Sequence, residues 1–354
     1  MDDKPLHWEK LEKEFENGHS IVLFLGAGVN FGSHGEDFSW DALINHLLLY
    51  AVSHITHTDE EDVAKSLGSS AKKLMAGWGK NTTIEKTEKE KLQQLKKQIA
   101  IDSAFSRDMK TTIVKQRLGN AVYVRLIRDY LYRHVTRDRL KKSVGDYANP
   151  EKHTEFHSLN CIADLILRNR NIQAVVTQNF DQFLCDTLKE MSKIHYCDNV
   201  RNIEPKPIHD WTEQSLFSYN NINIYHVHGY IPRYDEIQPP KGNKIVMSMD
   251  EFYEDTRNVY SWQIASQLHF LSQYTCIFCG LSLDDYTNQR LLHYVKNKHQ
   301  GNLYYLTAAG ETDGSTLTID RIKNEFHEKN GLTVLYDKQG YEHLYGLLKD
   351  LQYE

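Results

Sequence analysis

Four short stretches of the chain put polar, chemically able side chains where apolar runs stop. In Ile21-Val-Leu-Phe-Leu-Gly26-Ala27-Gly28-Val-Asn30-Phe-Gly32 an apolar run breaks into glycines. Glycine at such a break lets the backbone turn tightly and approach a pyrophosphate, whose charge suits an amide-rich turn and the positive end of a following helix. The spacing departs from the dinucleotide-dehydrogenase fingerprint: the third glycine comes one residue late, and no acidic residue ends a clear second strand about 20 positions on. Alone, the stretch reads equally as a nucleotide site or as a tight turn. In Val175-Val-Thr177-Gln178-Asn179-Phe-Asp181 a buried strand ends in consecutive polar residues, either a ligand edge or a helix cap made by Asn179 or Asp181. Ile224-Tyr-His226-Val-His228-Gly229 puts two histidines on one side of an extended strand, with His228 at its end. Histidine is the commonest general base near neutral pH, and equally an ordinary structural residue. Last, Thr275-Cys-Ile-Phe-Cys-Gly280-Leu-Ser282-Leu-Asp284-Asp285 suits a ribose or adenine edge, or a helix N-terminus capped by Ser282 or Asp284.

The elements that must position these residues are short apolar, β-branched runs. They lie at Ile21–Leu25, Ile172–Thr177, Ile222–Val227, Lys244–Met247, Thr275–Phe278, Leu303–Leu306 and Thr333–Tyr336. Helical stripes alternate with them, such as Leu159, Ile162, Ala163 and Ile166, or Leu344, Leu347, Leu348 and Leu351. This predicts an α/β fold with a parallel sheet covered by helices on both faces. All four polar clusters then fall at the carboxyl ends of strands, on one edge of the sheet. After the first strand, a helix starting near Ser39 leads into a helical, basic insertion at about 55–150. From Asn81 to Asp146 there are 16 basic and 8 acidic residues, in a chain whose net charge is −6. Within it, Glu85–Lys97 alternates charges as a solvated helix face does, and Tyr123, Leu126, Ile127, Tyr130 and Leu131 form an amphipathic stripe.

Composition excludes several classes. With 354 residues and 40% hydrophobic content the chain is too large for a disulfide-stapled scaffold and too apolar for a disordered one. Mild acidity argues against a nucleic-acid coat, and the interspersed acids of the insertion favour a solvated face or a subunit contact. There is no apolar run long enough to span a membrane and no apolar leader behind the charged N-terminus. Five cysteines at irregular spacing suit reduced thiols, so a cytoplasmic protein is expected.

GAGVN, TQNFD, HVHG and GLSLDD, in that order, resemble the sirtuin-like (silent-information-regulator type) family, and in particular its prokaryotic branch found in antiphage defence systems. The resemblance runs from about residue 15 to the end, apart from the insertion. It implies a Rossmann-like core, one NAD+-binding domain over 1–354, and cleavage of the nicotinamide–ribose bond of NAD+. Carried over residue by residue, Gly26, Ala27, Gly28 and Asn30 would line the pyrophosphate and ribose. Gln178, Asn179 and Asp181 would lie beneath the nicotinamide ribose, His228 would be the base, and Gly280 and Ser282 would meet the adenosine half.

The departures from the family pattern carry information. Deacylating sirtuins carry two Cys-x-x-Cys pairs around zinc; this chain has one, Cys276 and Cys279, inside an expected core strand, so no zinc-ribbon module and no metal are expected. The deacylase Pro-Asp-Phe-Arg segment is replaced by Phe38-Ser39-Trp40. Both changes point to water as the acceptor, hence to an NAD+ glycohydrolase that depletes host NAD+ in abortive infection. Such an enzyme needs a switch, from self-assembly into a homo-oligomer, from the insertion, or from a sensor or activator protein in a hetero-complex. The rival readings are an NAD+-dependent deacylase or ADP-ribosyl transferase, and a non-catalytic NAD+- or ADP-ribose-binding assembly subunit. His153 and His157, four apart on an expected helix face with Glu155 between them, lack the order of a metalloprotease helix.

Overall fold

The computed structural model describes residues 4–30, 43, 44, 46, 47, 107–149, 151–194, 204–208, 221–233, 245–257, 261–283, 286–296, 298–309 and 314–352. The predicted helix start near Ser39, Phe38-Ser39-Trp40, the Glu85–Lys97 run, Gly32, Asp284 and Asp285 lie outside the described residues. The chain divides into two compact units. One comprises Met1–Ser39, Leu131–Val246 and Tyr253–Glu354; the other comprises Trp40–Tyr130 and Met247–Phe252.

The first unit is built on seven strands: β1 (Ile21–Leu25), β2 (Ile172–Thr177), β3 (Glu204–Ile208), β4 (Asn221–His226), β5 (Thr275–Cys279), β6 (Leu303–Ala308) and β7 (Thr333–Asp337). Every pairing is parallel, in the order β3-β4-β2-β1-β5-β6-β7, which is a Rossmann-like sheet. Side chains alternate between two cores. Leu23, Leu25, Val175 and Ile277 enter one, and Val22, Phe24, Val176 and Phe278 enter the other. A strand buried on both faces must be apolar throughout, which is why β1 and β5 read as unbroken hydrophobic runs. The first core is closed by α1 (Trp8–Glu16), α4 (Arg137–Tyr147), α5 (His157–Arg168), α6 (Phe183–Ile194) and α11 (Tyr341–Gly346). The second is closed by α8 (Trp262–Gln273) and α9 (Tyr286–Val295), while α10 (Gly314–Lys329) links β6 to β7. On α5 the predicted stripe Leu159, Ile162, Ala163 and Ile166 is wholly buried, each large aliphatic contributing about 1.5–3 kcal/mol of transfer free energy. From α4, Leu140, Val144 and Tyr147 join the same core.

The second unit holds α2 (Arg107–Leu118), most of α3 (Asn120–His134) and the start of α7 (Met249–Arg257). Tyr123, Leu126, Ile127 and Tyr130 are buried, as the amphipathic stripe requires. Within the second unit Lys115 pairs with Glu251, and Thr111 Oγ1 donates to Met247 O at 2.9 Å.

Two expectations are corrected. Ile245–Met247 is not a strand: Val246 N donates to His228 O at 2.7 Å and the run stays irregular. The run is apolar because it is buried, and it feeds directly into α7, where Glu251 reaches back so that its Oε2 accepts from Ser248 N and Ser248 Oγ, each at 2.8 Å. His153 does not share a helix face with His157, because α5 begins at His157 and His153 precedes it in a loop. The sheet also gains β3, whose sequence Glu204-Pro-Lys-Pro-Ile carries no strand signal; two prolines are tolerated there because β3 is an edge. Among the described residues no helix is long and apolar enough to cross a membrane.

Candidate functional site

The strand order reverses at β1: β2 and β4 lie on one side, β5 on the other. In open parallel sheets the crevice beyond the carboxyl ends at such a reversal is where ligands bind. The turns that follow β1, β2, β4 and β5 carry the four polar clusters and meet here.

The glycine turns after β1 and β5 interlock. Gly26 N donates to Cys279 O at 3.0 Å and Gly28 N to Gly280 O at 2.9 Å. A Cβ on Gly26 would stand 2.5 Å from Gly280 O, and one on Gly280, at φ +61°, would strike Val29 N. Part of what the glycines permit is therefore this close approach of two backbones. A short 3-10 turn, Ala27–Asn30, then aims the buried Asn30 across the crevice, where its Nδ2 donates to Asp181 Oδ2 at 2.9 Å.

After β2 the chain turns sharply. Thr177 Oγ1 donates to Leu25 O at 3.2 Å and accepts from Asn179 N at 3.1 Å, so the threonine fixes the turn that presents Asn179. Asn179 Nδ2 donates to Gly26 O at 3.1 Å. Asp181 accepts from Phe183 N at 3.0 Å, capping the first turn of α6, so the cap reading of this residue and its place in the crevice are both realised. Gln178 faces the other way and donates to Asn288 Oδ1 at 2.7 Å; Asn288 in turn donates to Ser282 O at 3.3 Å. Gln178 thus groups with Gly280 and Ser282, whereas Asn30, Asn179 and Asp181 group with Gly26.

β4 lies beside β2, with Thr177 opposite His226. His226 shares the face of Ile222 and Ile224, and its Nδ1 donates to the main-chain O of Asn179 at 2.9 Å, which requires the Nδ1–H tautomer or the cation. The strand ends there. His228 sits in the following turn, buried to 8% exposure, with Gly229 at φ +106° reversing the chain. Burial pulls the His228 imidazole down to about 4, so it is neutral at pH 7. Burial pushes the Asp181 carboxyl up to about 6, against the hydrogen bonds from Phe183 and Asn30 and the Arg233 charge, which hold it down. A cavity of about 10 Å³ is bordered by Asn30, Asn179, Asp181 and His226; the predicted base His228 is not among the residues that line it.

Residues 173–335 match the model of the SIR2-like domain. The match runs from β2 to β7 and contains Gln178, Asn179, Asp181, His228, Gly280 and Ser282; Gly26–Asn30 precede it and are tied to it by the Gly28–Gly280 and Asn30–Asp181 hydrogen bonds. No curated protein matches the chain. SIR2-like domains use NAD+, which suits a crevice edged with amides, hydroxyls and one carboxylate.

Three residues at this edge carry no motif signal: Tyr132, Gln182 and Arg233. Gln182 Oε1 accepts from Arg233 N at 2.9 Å, and its Nε2 donates to Asp186 Oδ1 at 3.0 Å. Gln182 follows TQNFD directly and Arg233 follows HVHG by four residues, so proximity to the motifs was the available clue. Cys276 and Cys279 lie on opposite faces of β5, one in each core, and burial raises both thiols.

Proposed function

We propose that the SIR2-like domain hydrolyses the nicotinamide–ribose bond, NAD+ + H2O giving ADP-ribose, nicotinamide and a proton. The observation that supports this reading is that Asn30, Asn179 and Asp181 border one cavity at the reversal of the sheet, with His228 in the turn that follows β4. Departure of nicotinamide quenches the pyridinium charge and leaves positive charge on the ribose. An ionised Asp181 favours that charge electrostatically. Asn179 spends its Nδ2 on Gly26 O, which leaves Oδ1 to accept from a water or ribose hydroxyl. His228, neutral above about pH 4, accepts the proton released. Gly26, Ala27, Gly28 and Asn30 would hold the pyrophosphate and ribose, and Gly280, Ser282 and Gln178 the adenosine half. The resemblance to the antiphage branch extends the reading to depletion of host NAD+ in a prokaryotic cytoplasm, switched on by a partner protein or by self-assembly.

The test is chromatography of the purified full chain with NAD+ over a range of protein concentrations. Nicotinamide and ADP-ribose in equal amounts, without an acceptor protein, support hydrolysis. Products that appear only with an acylated or acceptor protein would instead identify a deacylase or transferase, and saturable binding with no nicotinamide an assembly subunit.

A further inference from the structure

The turn that carries His228 and the turn that carries Asn179 and Asp181 are held together by a buried cluster in the first unit. Ile231 N donates to Phe180 O at 2.7 Å. Tyr132 OH donates to Ile231 O and accepts from Gln182 N, so one phenol grips both turns. Tyr230 OH donates to Gln182 Oε1 at 3.4 Å. At the centre is Arg233, 7% exposed, with Nε donating to Asp186 Oδ2 at 2.9 Å and its guanidinium stacked 4.4 Å above the Tyr132 ring. Its Nη2 is buried and, among the described residues, has no hydrogen-bond partner.

A buried donor left unmade costs about 1–3 kcal/mol, more on a charged group. Part of that cationic charge answers the buried Asp186 carboxylate, while Nη2, unbonded among the described residues, leaves charge to act beyond the pair. The nearby group that gains from it is Asp181, whose carboxylate Arg233 favours across the cluster. We propose that Arg233 is a positioning residue of the candidate site: it locks the His228 turn to the first turn of α6 and sets a fixed positive charge near the Asp181 carboxylate.

Among the described residues, the other groups around Asp181 supply no fixed positive charge. Asn30 and the Phe183 amide are neutral donors, and Tyr132 is a phenol that burial holds well above its ordinary range. Cys185 and His226 border the same cavity, Tyr230 stands against His226, and Asp186 is paired with Arg233. His226, and His228 in the turn that follows it, become cationic only by taking up a proton, so neither offers a charge that persists as pH rises.

The inference rests on the hydrolase reading for its consequence but not for its test. The carboxyl carbons of the full chain are titrated by NMR, with the Asp181 signal assigned by its loss in Asp181→Asn. Arg233→Met should raise the Asp181 midpoint by about one pH unit, whereas Arg233→Lys, which keeps the charge but not the fork, should hold it within about 0.3 unit. Thermal melts accompany both, and if Arg233→Met does not fold, the Lys variant is compared with Asp186→Asn, which frees the guanidinium and should lower the midpoint. An unmoved Asp181 midpoint in a folded Arg233→Met, or in Asp186→Asn where that replaces it, overturns the proposal. Where the parent chain releases nicotinamide, the acid limb of kcat should move with the midpoint while KM changes by less than about threefold. A silent parent sinks the hydrolase reading and leaves the titration to decide the role of Arg233.

Discussion

Two buried carboxylates, one at each edge of the sheet, are treated in opposite ways. At the amino edge Glu14 of α1, 5% exposed, accepts from Thr275 Oγ1 at 2.9 Å, Tyr304 OH at 3.1 Å, His19 Nδ1 at 2.7 Å and Asn302 Nδ2. Burial pushes its carboxyl up, but these donors outweigh burial and the net shift is down. At the carboxyl edge Asp181, 7% exposed, has fewer donors and is raised to about 6. Glu14 joins α1 to the starts of β5 and β6 and is satisfied; Asp181 is left short of donors where a ligand can supply them. One edge uses its polar groups to hold the sheet together; the other leaves a buried carboxyl with few donors at the reversal of the strand order.

The sharpest way to break that comparison is to remove the chemistry and ask whether the fold notices. Asn179→Ala and His228→Ala should each lower nicotinamide release by about 10²-fold or more with melting temperature little changed. Wild-type-like turnover in either variant would remove that residue from the mechanism. Next comes the interlocked turn. Gly280→Ala meets the Val29 amide at a positive φ and should destabilise the first unit by about 2–4 kcal/mol in denaturant unfolding, with activity lost in proportion.

Glu14→Gln should cost about 1–3 kcal/mol, since the amide loses acceptor capacity among donors that stay buried. Because the folded carboxyl is lowered, its contribution is present at neutral pH and fades as pH falls through that depressed value; the parent should therefore lose this increment in acid and the variant should not. Asp181→Asn runs the other way. A carboxyl raised to about 6 stabilises the fold below its unfolded value near 3.8 and loses that benefit as pH rises through 6. The amide should thus gain on the order of 1–2 kcal/mol at pH 8, with Asn30 turning its amide to accept, while turnover drops. A loss of stability at pH 8 would show that Asp181 is as structural as Glu14.

Much of this was legible in the sequence. Strands β1 and β5 announce themselves because a strand covered on both faces must be continuously apolar, and β2, β4, β6 and β7 as short runs rich in β-branched and aromatic residues; a parallel sheet then sends their carboxyl ends to one edge. Asn30, Asn179 and Asp181 could be read because nothing in core packing calls for polar residues there. The rest depends on partners remote in sequence. β3 needs β4 beside it before a proline-bearing segment becomes a strand. Ile245–Met247 shows the reverse error, an apolar run buried against a turn instead of in a ladder. Arg233 and Gln182 are ordinary loop residues until the two turns are folded together, and the Glu14 donors come from β5, β6 and the loops flanking α1 and β6.

Pro205 and Pro207, two apart on the marginal strand β3, have a further consequence. Neither nitrogen can donate to β4, so both face outward, and that rim of the sheet offers carbonyls with no alternating N–H to match them. A foreign strand laid against it would find half a ladder. The rim is thereby closed to strand addition, and a chain at high local concentration is guarded on that side against sheet-to-sheet aggregation.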